Sequence, residues 1–130
     1  MLIFGHKFIP SNSFYHVSDI DNITNTPPSS VIHIEFKEEN LDIIAHAKIN
    51  QINTSIYVEN IREIIYASNL GASFIIVKEE LVTDAQKIAT EYLFDAKILV
   101  LIEDENEIEK YALLGIDGVI FSNAIIHISS

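Results

Sequence analysis

The chain has 130 residues, 48% of them hydrophobic and 21% charged, which suits one folded domain with a real core and argues against disorder. Its formal net charge is −11, with eight Lys+Arg against nineteen Asp+Glu, so it repels phosphate backbones and anionic lipids; nucleic-acid and membrane binding are not expected. There is no cysteine, which excludes disulfides, thiolate metal sites and cysteine nucleophiles and fits a cytoplasmic protein.

The N-terminal "MLIFGHKFIPSNSFYH" lacks a basic n-region, a long apolar core and a small-residue cleavage site, so no signal peptide is expected. Within it, "LIFGHKFI" reads as a strand. Residues 17–25 read as a short helix capped by Ser18, and "TNTPPSS" at 24–30 breaks the chain, since Pro27–Pro28 cannot lie inside a helix.

From residue 31 apolar strands alternate with amphipathic helices. Strands are predicted at 31–36, 54–59, 72–78, 96–103 and 116–122, and helices at 38–50, 60–71, 80–94 and 105–115. Asn60 is a suitable N-cap for the second helix and Gly71 its C′ residue. The nearly continuous apolar runs "ASFIIVK" and "AKILVLIE" suit strands covered on both faces. Repeated β-α-β units imply a parallel sheet with right-handed crossovers. An eight-fold barrel takes roughly 250 residues. The expected fold is therefore α/β: an open, doubly wound parallel sheet of about five strands, flavodoxin-like, of order 2-1-3-4-5. One domain spans 1–130, with residues 1–30 as an extra N-terminal strand and helix packing on the sheet and 31–123 as the repeats.

Ligands of open α/β sheets bind at the carboxyl ends of the strands. Those ends carry Glu35, Lys78, Glu103 and Ser122, the candidate ligand-binding residues. Glu35, Glu79 and Asp104 are the candidate oxygen ligands for Mg²⁺ or Ca²⁺. The other reading of these carboxylates is that they are solvated residues at helix N-termini, favoured by the macrodipole. Lys78 is either an amine activated by desolvation or a surface lysine balancing its acidic neighbours. His6, His16, His33, His46 and His127 form no HxH or HxxxH pair, and His33 lies inside a strand as a core or half-buried residue. Tyr57, Tyr66, Tyr92 and Tyr111 read either as core-edge residues or as interface anchors. No nucleophile elbow, GxGxxG or GxxxxGK[ST] occurs, and no cofactor is implied.

The segments "VIHIEFKEENLDIIAHA", "YVENIREIIYASNLGASFIIVKEEL" and "KILVLIEDENEIEKYALLGIDGVIFSN" carry a resemblance. In pattern and spacing, about Val31 to Asn123 resembles response-regulator receiver domains, with "GIDG" in place of their "GADD" turn. That family uses an acidic pair after its first strand, where Glu35 and Phe36 stand here. It uses an aspartate at the end of its third strand, where Lys78 stands, and Thr or Ser after the fourth, where Ile102 stands. It uses a lysine after the fifth, where Ser122 and Asn123 stand. The resemblance therefore implies a degenerate receiver that is not phosphorylated in the ordinary way. Receivers continue into a fifth helix, and here only "AIIHISS" follows, so either residues 17–25 or another subunit should cover the sheet face that helix would occupy. "YASNLGASFIIVKEEL" and "EIEKYALLGIDGVIF" are also similar to β-α units of phosphate-binding (βα)-barrel enzymes such as the keto-acid-sugar aldolases, but no glycine-rich loop follows any strand.

The function expected is a non-catalytic protein-interaction or regulatory module, with another protein or a second copy as partner. The alternative is a small-molecule or divalent-metal-binding protein, or an enzyme, that uses the acidic strand-end face.

Overall fold

In the computed structural model, which describes residues 1–128, each predicted apolar run becomes a strand that starts or stops at the turn chemistry flanking it. The strands are β1 (Leu2–Phe4), β2 (Phe14–His16), β3 (Val31–Glu35), β4 (Thr54–Tyr57), β5 (Phe74–Val77), β6 (Lys97–Ile102), β7 (Gly118–Phe121) and β8 (Ile125–His127). The α-helices are α1 (Leu41–Ile49), α2 (Ile61–Asn69), α3 (Glu79–Glu91) and α4 (Ile108–Leu113). Ser129 and Ser130, the last residues of "AIIHISS", lie outside the described residues.

Helix boundaries follow local chemistry. Asn60 Oδ1 accepts the Glu63 amide at 2.9 Å, and Glu63 Oε1 accepts the Glu59 amide at 2.9 Å, a reciprocal cap on α2. Gly71, at φ +86°, closes its other end in the left-handed region. The predicted helix at 17–25 is instead a 3₁₀ turn, Asp21–Asn25, and its start is capped by Asp19, whose Oδ1 accepts the Asn22 amide at 2.8 Å, rather than by Ser18. Val17 is buried and Ile23 packs beside it on the helix-bearing face of the sheet.

The sheet corrects two expectations. Among the described residues it has eight strands rather than about five, and its order is β1-β7-β6-β5-β4-β3-β2-β8, all parallel. The five predicted strands thus lie in simple sequence order, not 2-1-3-4-5. Right-handed crossovers that always step the same way deposit every helix on the same side. Accordingly the buried residues of α1 (Ile43, Ile44, Ala47), α2 (Ile64, Ala67), α3 (Val82, Ala85, Ala89) and α4 (Tyr111) join one cluster with one face of the sheet. The sheet is singly wound. The other face forms a separate cluster built from strands and from the link after β7: Phe14, Val31, Ile76, Leu99, Ile120 and Ala124.

A flat sheet cannot hold this order. Six strand steps separate β7 from β8 in the sheet. At about 4.8 Å per step these span about 29 Å. Only Ser122–Ala124 joins the two strands. The four peptide steps from Phe121 to Ile125 reach about 15 Å at most. The sheet therefore curls into a half-barrel with the helices outside, and its helix-free face becomes a filled bore. Phe4, Phe14 and Phe74, from β1, β2 and β5, meet there with ring centroids 4.9 to 5.5 Å apart. The link after β7 rests on Gly5: Asn123 Nδ2 donates to the Gly5 carbonyl at 3.0 Å, and a Cβ at Gly5 would come within 3.0 Å of the Ala124 Cβ. Gly5, at φ +91°, also ends β1, so the predicted eight-residue strand is only three residues long.

Candidate functional site

Parallel strands bring their carboxyl ends to one edge, so the residues immediately after β3, β5, β6 and β7 form a common rim. Two of the predicted residues touch there: Ser122 Oγ donates to Glu103 Oε2 at 3.0 Å. Lys78, Glu79, Glu80, Glu103 and Glu107 line an open depression of ≈ 330 Å³ floored by Leu101 and Ile102. A second depression, of ≈ 220 Å³, runs from Lys78 past Glu80 to Tyr57 and Glu59. Lys78 is exposed.

Glu35 lies elsewhere on the rim. Its carboxylate pairs with Lys37 Nζ at 3.2 Å and stands 3.6 Å from His16 Nε2. The Lys37 hydrogen bond holds the Glu35 pKa below its ordinary value. Asp104 acts locally, since its Oδ1 accepts the Asn106 amide at 2.9 Å and caps the 3₁₀ turn that leads into α4. Glu79 faces Glu107; the hydrogen bonding between their carboxyl groups lowers the pKa of Glu79 and raises that of Glu107. Tyr111 is buried behind them with an unpartnered hydroxyl. Burial, then its closeness to Glu79, raises its pKa. Glu35, Glu79 and Asp104 are thus not gathered. Among the described residues no three of His, Asp or Glu are arranged to hold a metal ion.

The structure assembles a group that sequence reasoning missed. His16, His33 and His127 stand at one register on β2, β3 and β8. The His16 ring centroid is 4.9 Å from that of His127 and 5.8 Å from that of His33. His33 is buried, and its Nδ1 lies 2.8 Å from Ser55 Oγ on β4. Burial first, then the neighbouring His16, pushes the His33 pKa down to about 4. Burial, then His127, lowers His16, against the upward pull of Glu35. A signal was present in the sequence: "FYH", "VIH" and "IIH" each put a histidine after two bulky or β-branched residues. Spacing within one strand could not reveal it, because the grouping runs across strands.

Chemically the rim offers solvated carboxylates engaged in caps and pairs, the solvated lysines Lys37 and Lys78, and imidazoles that face one another. No protein-family model matches the chain, and no curated protein matches it significantly. No helix of the described residues is long and apolar enough to cross a membrane.

Proposed function

We propose that the chain is a cytoplasmic, non-catalytic interaction or regulatory module, the role implied for a receiver-like domain without its phosphorylation residues. The observation that carries this reading is the outer face of α2. Ile61, Ile65 and Tyr66 are 42%, 43% and 48% exposed, and the half-buried Phe36 ring lies against Tyr66 with centroids 6.0 Å apart. Ile61 and Ile65 are one helical turn apart and form a stripe that α2 does not need for its own packing, which uses Ile64 and Ala67. Exposed apolar residues scattered singly need no explanation, whereas an aligned set with an aromatic anchor fits a protein contact.

Charge defines the partner's chemistry. Exposed Glu59 lies at the start of α2, beside this stripe, on a chain of net charge −11. The matching surface is an amphipathic segment with apolar anchors and flanking Lys or Arg. Native mass spectrometry on protein isolated gently from its host tests the reading. A bound basic protein, or a homodimer, is expected with the wild type and lost with Ile61→Asp/Ile65→Asp. A complex that the double variant retains would refute the role of this face, and a monomer carrying a small-molecule mass would refute the module.

The ≈ 330 Å³ depression beside Lys78 and Glu103 favours the second reading, a small-molecule or divalent-cation site. Its test is the melting temperature with millimolar Mg²⁺ or Ca²⁺: a rise that Glu103→Gln abolishes supports it, and an unchanged value removes it.

A further inference from the structure

Strand β8 has little holding it. It is three residues long, among the described residues pairs only with β2, and forms the last strand of the sheet. Of its side chains, Ile125 reaches the bore cluster, Ile126 is 39% exposed, and His127 is exposed. The following residue is tied back by the Ile128 amide, which donates to the His16 carbonyl at 3.4 Å, and by its side chain, which packs against the core on the helix-bearing face. Short edge strands are the first part of a sheet to open.

The same pairing sets His127 beside His16, and His16 beside His33. While the imidazoles are neutral, the three rings pack in a tilted row, His33 buried, His16 half-buried and His127 exposed. Each proton added puts a positive charge against its neighbour across the ladder, where like charges directly opposed are destabilising. The other groups facing the cluster do not balance this. From β3, Glu35 supplies one negative charge near His16, but Lys37 already pairs with it. From β4, Ser55 contacts His33, and Tyr57 stands at the register of Glu35; neither carries a charge. β8 itself contributes only His127.

We propose that His16 and His127, backed by the buried and neutral His33, form a proton-operated latch: protons taken up in mild acid set like charges against each other across the β2–β8 pairing, β8 leaves β2, and Ile125 and Ile128 are withdrawn from their clusters while the other strands stay folded. The site lies apart from the α2 face and does not rest on the interaction reading.

Amide hydrogen exchange, read as protection factors so that the intrinsic pH dependence of exchange is removed, tests the latch. Between pH 7.5 and 5.5 the protection of Ile126 and Ile128 should fall at least tenfold further than that of Ile76, Leu99 and Val100, whose smaller fall is the global loss that the buried His33 brings. In His127→Gln, which keeps a polar side chain at an exposed position, the fall at Ile126 and Ile128 should shrink to within twofold of the fall at those three; His46→Gln on α1 should behave as wild type. Equal protection at the two pH values overturns the proposal. So does an equal loss at Ile76, Leu99 and Val100, which is global unfolding, or an undiminished fall in His127→Gln.

Discussion

The curl of the sheet predicts an energetic coupling that a flat sheet would not have. Phe4 and Phe14 sit on β1 and β2, six strand steps apart in the sheet order, yet their ring centroids are 4.9 Å apart. In a flat sheet they would be about 29 Å apart and independent. Phe14 is fully buried, and it also packs at 5.3 Å against Phe74. Truncating such a ring to alanine removes its transfer energy and leaves a cavity, a cost of about 3–5 kcal/mol. Against the ~5–15 kcal/mol total of a domain of this size, that is a large share. Phe4→Ala should cost less, because Phe4 is only partly buried. The double variant should cost less than the sum of the two, since the edge-to-face pair is worth roughly 0.5–1.5 kcal/mol beyond its area and can be lost only once. Urea unfolding of wild type, both single variants and the double variant closes the cycle. Strict additivity, within about 0.3 kcal/mol, would mean the rings do not meet and the bore is not closed. A cost below about 1 kcal/mol for Phe14→Ala would refute its burial.

Three further perturbations follow from particular residues. A Cβ on Gly118 would fall 2.8 Å from the Leu2 carbonyl oxygen and 2.7 Å from Leu99 Cδ2, so Gly118→Ala must displace β1; we expect about 1–3 kcal/mol of destabilisation by urea unfolding, and a neutral outcome would refute the β1–β7 register. Leu93 follows α3 at φ +53° with 85% exposure, so Leu93→Gly should relieve a left-handed strain of about 1–2 kcal/mol while adding roughly 0.5–1 kcal/mol of unfolded-chain entropy. The net gain of about 0.5–1 kcal/mol should raise Tm by about 2–4 °C. The third concerns pH. His33 titrates near 4 in the folded protein against 6.5 ordinarily, so between these values the unfolded chain binds a proton that the folded one does not. Its contribution is complete above pH 6.5 and is lost as pH falls toward 4, amounting to about 3 kcal/mol. His33→Gln should flatten the pH dependence of the urea midpoint by about that amount, and an unchanged slope would contradict the burial of a neutral imidazole.

Periodicity and punctuation made the central repeats legible, because they act locally. The runs that became β3 to β7 and the amphipathic stretches that became α1 to α4 carry their own apolar faces, and Asn60 and Gly71 mark the ends of α2 where their chemistry requires. Strand order was not legible, since any sequence of β-α units satisfies the right-handed rule whichever side the chain steps to next. The three-residue strands were hidden for a related reason. "FYH" and "IIH" are too short to show alternation, and they become strands only because β3 and then β2 offer a free edge. Parallel strands let the sequence assign the strand ends to one edge, but it could not apportion the carboxylates there. Asp104 caps a turn, Glu35 pairs with Lys37, and Glu103 accepts from Ser122, each choice fixed by a neighbour brought in by the fold.

The bore and the histidine cluster are two ends of one piece of construction. Phe14 pairs with Ile125, and two residues further along the same strands His16 pairs with His127. β8 reaches β2 only because the sheet curls, and the curl is filled by Phe14 against Phe4 and Phe74. Loosening the bore must therefore weaken the pairing above it even when every imidazole is neutral. At pH 7.5, Phe14→Ala should lower the protection of Ile126 and Ile128 by more than it lowers that of Val100, on β6, whose side chain packs on the helix-bearing face rather than in the bore. Phe14→Leu, close in volume, should preserve most of both. Equal losses at all three amides in Phe14→Ala would mean that β8 is held by the whole domain rather than by the bore beneath it, and the shared origin of the two features would fall.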